Sequence, residues 1–120
     1  MDVPARLRTA DPASVAAALA AVRDGSATKD DLRLLTKHYL ALLEAKAPGR
    51  SVEVRVPPYA AVQCVEGVRH TRGTPPAVIE TDAATWIALA AGEIAWHEAV
   101  DRGSVSASGE RTDLTPYLPL

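Results

Sequence analysis

The chain has 120 residues, 48% hydrophobic and 23% charged, with a formal net charge of -2. That length can bury one core unaided by metal or disulfide, and that charge gives no electrostatic basis for non-specific nucleic-acid binding. Cys64 is the single cysteine, so no intramolecular disulfide forms, which suits a reducing cytoplasm, and no apolar run reaches the roughly 20 residues of a membrane span.

The sequence reads as one domain over residues 1–120, with residues 1–10 a flexible, polar arm and no signal peptide. Asp11-Pro12 then opens a helix, because Asp caps free N–H groups and Pro is tolerated in the first turn. Val15, Leu19 and Val22 give it one apolar face, and Gly25 stops it. Thr28 caps a longer helix with Asp31 near its positive end. Leu32, Leu35, Tyr39, Leu42 and Leu43 form its inner stripe, Arg33, Lys37 and Glu44 its wet side, and Pro48-Gly49 ends it.

The period then changes from helical to two. Val52, Val54 and Val56 alternate with Glu53 and Arg55, a strand buried on one face, and Pro57-Pro58 turns the chain. Ala60 to Val65 is a second, more apolar strand, read as central in its sheet. The polar, Gly- and Pro-containing stretch 66–76 is an exposed connection, and Ala77 to Thr81 a third strand. Thr81 or Asp82 caps a helix carrying Trp86, Ile87, Leu89 and Ala90, closed by Gly92. Ile94 to Asp101 makes another short helix, stopped by Gly103, and Val105 and Ala107 alternate with serines in a fourth strand. The tail, with Leu114, Tyr117 and Leu118, is apolar enough to lie back on the body. Two helices, three strands, two helices, a strand and a tail make an α+β chain.

No residue set names a reaction. His38, His70, His97 and Cys64 lack the short spacing of a zinc site, so no metal is expected. Cys64 inside an apolar strand reads as an inert core thiol rather than a nucleophile. Glu80, Asp82, Glu93, Glu98 and Asp101 are explained as a cap and solvated faces. Trp86 and Trp96 could stack a flat ligand, although a Trp at helical spacing is far more often core. The run Arg69-His70-Thr71-Arg72-Gly73-Thr74 could gather around a carboxylate or phosphate, since arginine forks match such anions; its plainer reading is a solvated loop.

Glu80-Thr81-Asp82, Trp86 with Leu89, Gly92, Ala99-Val100, Gly103, Val105 and Gly109-Glu110 follow one another in an order that resembles the carboxyl half of the sterol-carrier-protein-like fold. The stretches PGRSVEVRVPPYAAVQCVEG and RHTRGTPP resemble short, stand-alone bacterial members of that family. The resemblance implies an antiparallel or mixed sheet of about four strands, covered on one face by helices. It also implies non-catalytic carriage of a lipid, sterol or fatty acyl-CoA, with no cofactor and no stable membrane insertion. Val54, Val62, Cys64, Ile79, Trp86, Leu89 and Val105 would line the cavity, with Arg69, His70 and Arg72 at its mouth. The alternative is an interaction or accessory domain with a filled core, acting as a homodimer or with a partner enzyme. An enzymatic reading rests on Cys64, His70 and the carboxylates alone.

Overall fold

The computed structural model describes residues 7–67, 77–109 and 112–120. Two helices come first, α1 (Pro12–Asp24) and α2 (Lys29–Lys46). Asp11 caps α1 by accepting from the Ser14 N–H at 3.0 Å. Thr28 and Asp31 cap α2 reciprocally: the Thr28 hydroxyl accepts from the Asp31 N–H at 3.1 Å, and the Asp31 carboxylate accepts from the Thr28 N–H at 2.9 Å. Two otherwise orphaned donors are satisfied by that exchange. Both helix starts lie where the capping residues place them.

Helix α1 packs on α2, with Ala18 buried and Val15, Leu19 and Val22 half-buried. Helix α2 packs between α1 and the sheet. Its buried stripe is Leu35, Thr36, Tyr39, Leu40, Ala41 and Leu43, broader than the apolar pattern alone indicates, while Leu32 and Leu42 are only half-buried. A helix with neighbours on two sides has to bury more than one narrow stripe.

The sheet has four strands: β1 (Val52–Val56), β2 (Ala60–Cys64), β3 (Ala77–Thr81) and β4 (Val105–Ser108). Their order is β2-β1-β3-β4, with β1 and β3 parallel and both outer pairs antiparallel, so the sheet is mixed. The second strand is therefore an edge and not central, and it ends at Cys64. Its apolar character comes from α2 packed across it, not from a strand on each side. Val65, expected to extend it, instead turns the chain at φ 63.

Register puts Val54 opposite both Val62 and Ile79, and Thr81 opposite Val105. These side chains share the face that meets the helices, while Arg55, Gln63, Glu80 and Ser106 face outward and are exposed. Alternation with period two thus gives one dry and one wet face. Ala107, expected inward, is exposed on the edge strand. Helix α3 (Ala83–Ala90) follows β3, and α4 (Trp96–Asp101) begins two residues later than the periodicity suggests, because residues 91–95 form the turn. No helix among the described residues is long and apolar enough to cross a membrane.

Candidate binding groove and the core behind it

Asp82 caps α3 by accepting from the Thr85 N–H at 3.1 Å. That start fixes the helix phase so that Ala83, Trp86, Ile87, Leu89 and Ala90 are all buried. The chain leaves α3 through a tight turn in which Ala88 O accepts from the N–H groups of Glu93, at 2.8 Å, and Ile94, at 3.4 Å. This turn holds Ile94 and Trp96 half-buried beside the end of α3.

The C-terminal tail closes over the same place. Leu114 is fully buried, a short 3-10 turn follows at Thr115–Tyr117, and the Leu120 N–H donates to Ala90 O at 2.8 Å. From the far side, Lys46 Nζ donates to Tyr117 O at 3.0 Å and to Pro119 O at 3.4 Å. The expectation that the tail lies back on the body is met, with Tyr117 and Leu118 packed against the core.

Between the tail, the turn and α4 lies a groove of about 420 Å³. Leu89, Ile94, Trp96, Leu118 and Pro119 supply its apolar lining, and Glu93 and Glu98 sit on its rim. Both carboxylates have exposed arginine partners, Arg23 at 3.4 Å from Glu93 and Arg102 at 3.7 Å from Glu98. Such pairs are screened by solvent and contribute little to stability. The volume lies within the range of small-molecule sites.

The side chains expected to line an interior cavity belong to one buried hydrophobic cluster. Val54, Val62, Cys64, Ile79, Trp86, Leu89 and Val105 are each no more than 7% exposed. Leu89 alone among them also reaches the groove. Arg69, His70 and Arg72 lie outside the described residues. Sequence alone does not indicate the groove, because it forms only when the tail meets a turn more than twenty positions earlier.

Polar chemistry inside this core is sparse. Thr36 and Thr81 are the buried polar side chains among the described residues. Thr81 Oγ1 donates to Ser104 O at 2.8 Å. Thr36 is different: its carbonyl accepts from Trp86 Nε1 at 3.3 Å, but its hydroxyl, fully buried, has no hydrogen-bond partner. Burial, with a smaller push from Glu44, raises the Cys64 thiol to about 12, so it stays protonated at neutral pH.

The decisive comparison is with a family model described as bacterial SCP ortholog, which matches residues 28–120. The chain belongs to that family. The match starts at the N-cap of α2 and takes in the whole sheet, the groove and the tail; α1 lies outside it. A search of curated proteins finds no match. Membership in this bacterial SCP family agrees with the fold of the matched residues: α2, a mixed four-stranded sheet, and the SCP-like order of elements after Ala77.

Proposed function

We propose that this bacterial SCP-family protein is a non-catalytic carrier of an apolar or acyl-type ligand in a reducing, cytoplasmic setting. The observation that carries the reading is Leu89, which is both a wall of the 420 Å³ groove and a member of the core beneath it. A ligand seated in the groove would touch Trp96, Ile94 and Leu118 first, and then meet the seven side chains assigned to the cavity wall. Opening the seam between sheet and helices behind Leu89 would give the chain of the ligand an apolar bed without exposing it to water. A thiol held protonated at Cys64, and carboxylates committed to caps and surface pairs, support binding without chemistry.

The test is displacement of a fluorescent apolar probe from the delipidated protein, paired with native mass spectrometry. Saturable binding at micromolar concentration with one ligand per chain is expected, and Leu118→Arg should weaken it about tenfold while leaving the fold intact. Absence of any bound or displaceable lipid overturns the reading.

The burial of all seven side chains is also met by a second reading, an accessory domain with a filled interior that works as a homodimer or on a partner enzyme. Sedimentation at several concentrations separates the two. A strict monomer that binds one ligand per chain leaves the accessory reading without support.

A further inference from the structure

We propose that the Thr36 hydroxyl is the docking point for the polar end of an uncharged ligand that lies between α2 and α3 against Trp86. The proposal rests on the carrier reading and specifies which ligands it admits.

A threonine in a helix ordinarily turns its hydroxyl back to a carbonyl three or four residues earlier. Thr36 lies in the middle of α2 and makes no such bond; its oxygen is shielded from solvent and unpartnered. A buried hydroxyl in that condition has lost its water without replacement, which is costly unless something else supplies the bond. It keeps the capacity both to donate and to accept. The indole of Trp86 reaches the same residue, tied to the Thr36 carbonyl by a long 3.3 Å bond. The two residues join α2 to α3 through a polar contact, while the other buried residues of α3 are all apolar.

The way in is given by α3. Leu89 lies three positions after Trp86, so the two side chains share a face and are neighbours along the helix. Leu89 also walls the groove. A chain inserted past Leu89 therefore runs along Trp86 toward Thr36.

Charge then restricts the ligand. Among the described residues the core contains no ionised side chain, and the groove rim carries Glu93 and Glu98. A carboxylate or phosphate would find no counter-ion within. An ammonium would likewise remain unpaired inside, where an isolated charge is very unfavourable. A hydroxyl or carbonyl at the end of an apolar body needs no counter-ion. An alcohol can donate to Thr36 and accept from it, and a ketone or ester can accept.

The experiment compares 1-decanol, 2-decanone, decanoate, decylamine and 1-chlorodecane as competitors for a neutral fluorescent probe on the delipidated full chain. Wild type, Thr36→Val and Thr36→Ser are assayed side by side, and the thermal midpoint of each ligand-free protein is recorded. Wild type should prefer the alcohol and ketone over the acid, the amine and the chloride by about fivefold to tenfold. Thr36→Val should erase that preference while keeping chlorodecane binding, and Thr36→Ser should restore it. The ligand-free Thr36→Val protein should melt at or above the wild-type midpoint, since an unpartnered hydroxyl has been replaced by a methyl group.

A lower midpoint for Thr36→Val that Thr36→Ser recovers shows a hydroxyl already satisfied and overturns the proposal. Equal binding of alcohol to wild type and Thr36→Val also overturns it, while leaving the carrier reading in place. Decanoate binding as tightly as decanol removes the restriction to uncharged ligands. Failure of every competitor, chlorodecane included, overturns the carrier reading and the Thr36 site together.

Discussion

The backbone N–H of Ala10 donates to Nδ1 of His38 at 2.9 Å, so an imidazole on α2 holds the segment that leads into α1. The ring is half-buried and stands edge-on to Tyr39, with centroids 5.1 Å apart. A ring nitrogen that accepts must be unprotonated, and burial lowers the His38 pKa from its ordinary 6.5. As pH falls, the unfolded chain takes up this proton before the folded one does. The stabilisation is whole above 6.5, shrinks as pH falls through that value and is gone below the folded pKa. Urea unfolding at about pH 7 and about pH 5 should show wild type losing more stability than His38→Leu over that interval. At neutral pH the variant should be about 1 kcal/mol less stable. Equal losses in the two proteins would sink the idea.

Cys64 should behave as an interior atom and not as a nucleophile. Its thiol is fully buried and is pushed up to about 12 by that burial and by Glu44. An aromatic disulfide reagent at neutral pH should react with the native protein at least about a hundredfold more slowly than with protein in concentrated guanidinium chloride. Rapid labelling of folded protein would show that the α2–β2 contact opens easily and would reinstate the thiol as a reactive group.

The tail is held by a lysine that the pattern of charges alone does not mark. Lys46 Nζ donates to Tyr117 O and Pro119 O, beside the Leu120 N–H bond to Ala90 O. Lys46→Met removes the two donors and keeps the stem of the side chain. Hydrogen exchange at the Leu120 amide should speed up by about fivefold, while the Trp86 amide inside α3 is unchanged. An unaltered Leu120 rate would mean that the apolar contacts of Leu114 and Leu118 hold the tail by themselves.

How far the sequence reaches can be judged from such particulars. The starts of α1, α2 and α3 are legible because Asp11, Thr28 and Asp82 each cap through a bond to a residue three positions on, a wholly local interaction. The strand β1 is legible because its valines alternate. The edge position of β2 is not, since an apolar strand under a helix and a central strand carry the same composition. Thr36 falls at a helical interval from Tyr39, Leu40 and Leu43, so its burial is readable in principle. The missing partner of its hydroxyl depends on how α3 lies across α2, which no local pattern encodes. The groove likewise needs Leu118 and Pro119 brought to Ile94 and Trp96 by long-range packing.

The loop after α2 offers the sharpest stability test. Val65, at φ 63, receives two bonds at its carbonyl, from the Ser51 N–H at 3.0 Å and Ser51 Oγ at 2.6 Å, and its own N–H donates to Ala47 O at 2.7 Å. A positive φ is uncommon for a β-branched residue, and these three bonds hold it there. Gly49 crosses this knot at φ 152, where a Cβ would collide with the Val65 carbonyl and the Glu66 nitrogen. Those atoms are backbone, and the carbonyl is already bonded, so they cannot give way cheaply. Gly49→Ala should cost about 2–4 kcal/mol. Gly25→Ala, at φ 81 with open space around the added carbon, should cost only about 1–2 kcal/mol from the left-handed conformation itself. Chemical denaturation of both variants measures the difference. If Gly49→Ala proves as mild as Gly25→Ala, the Ala47–Ser51 loop is not pinned to the end of β2, and the packing of α2 across that strand has some other anchor.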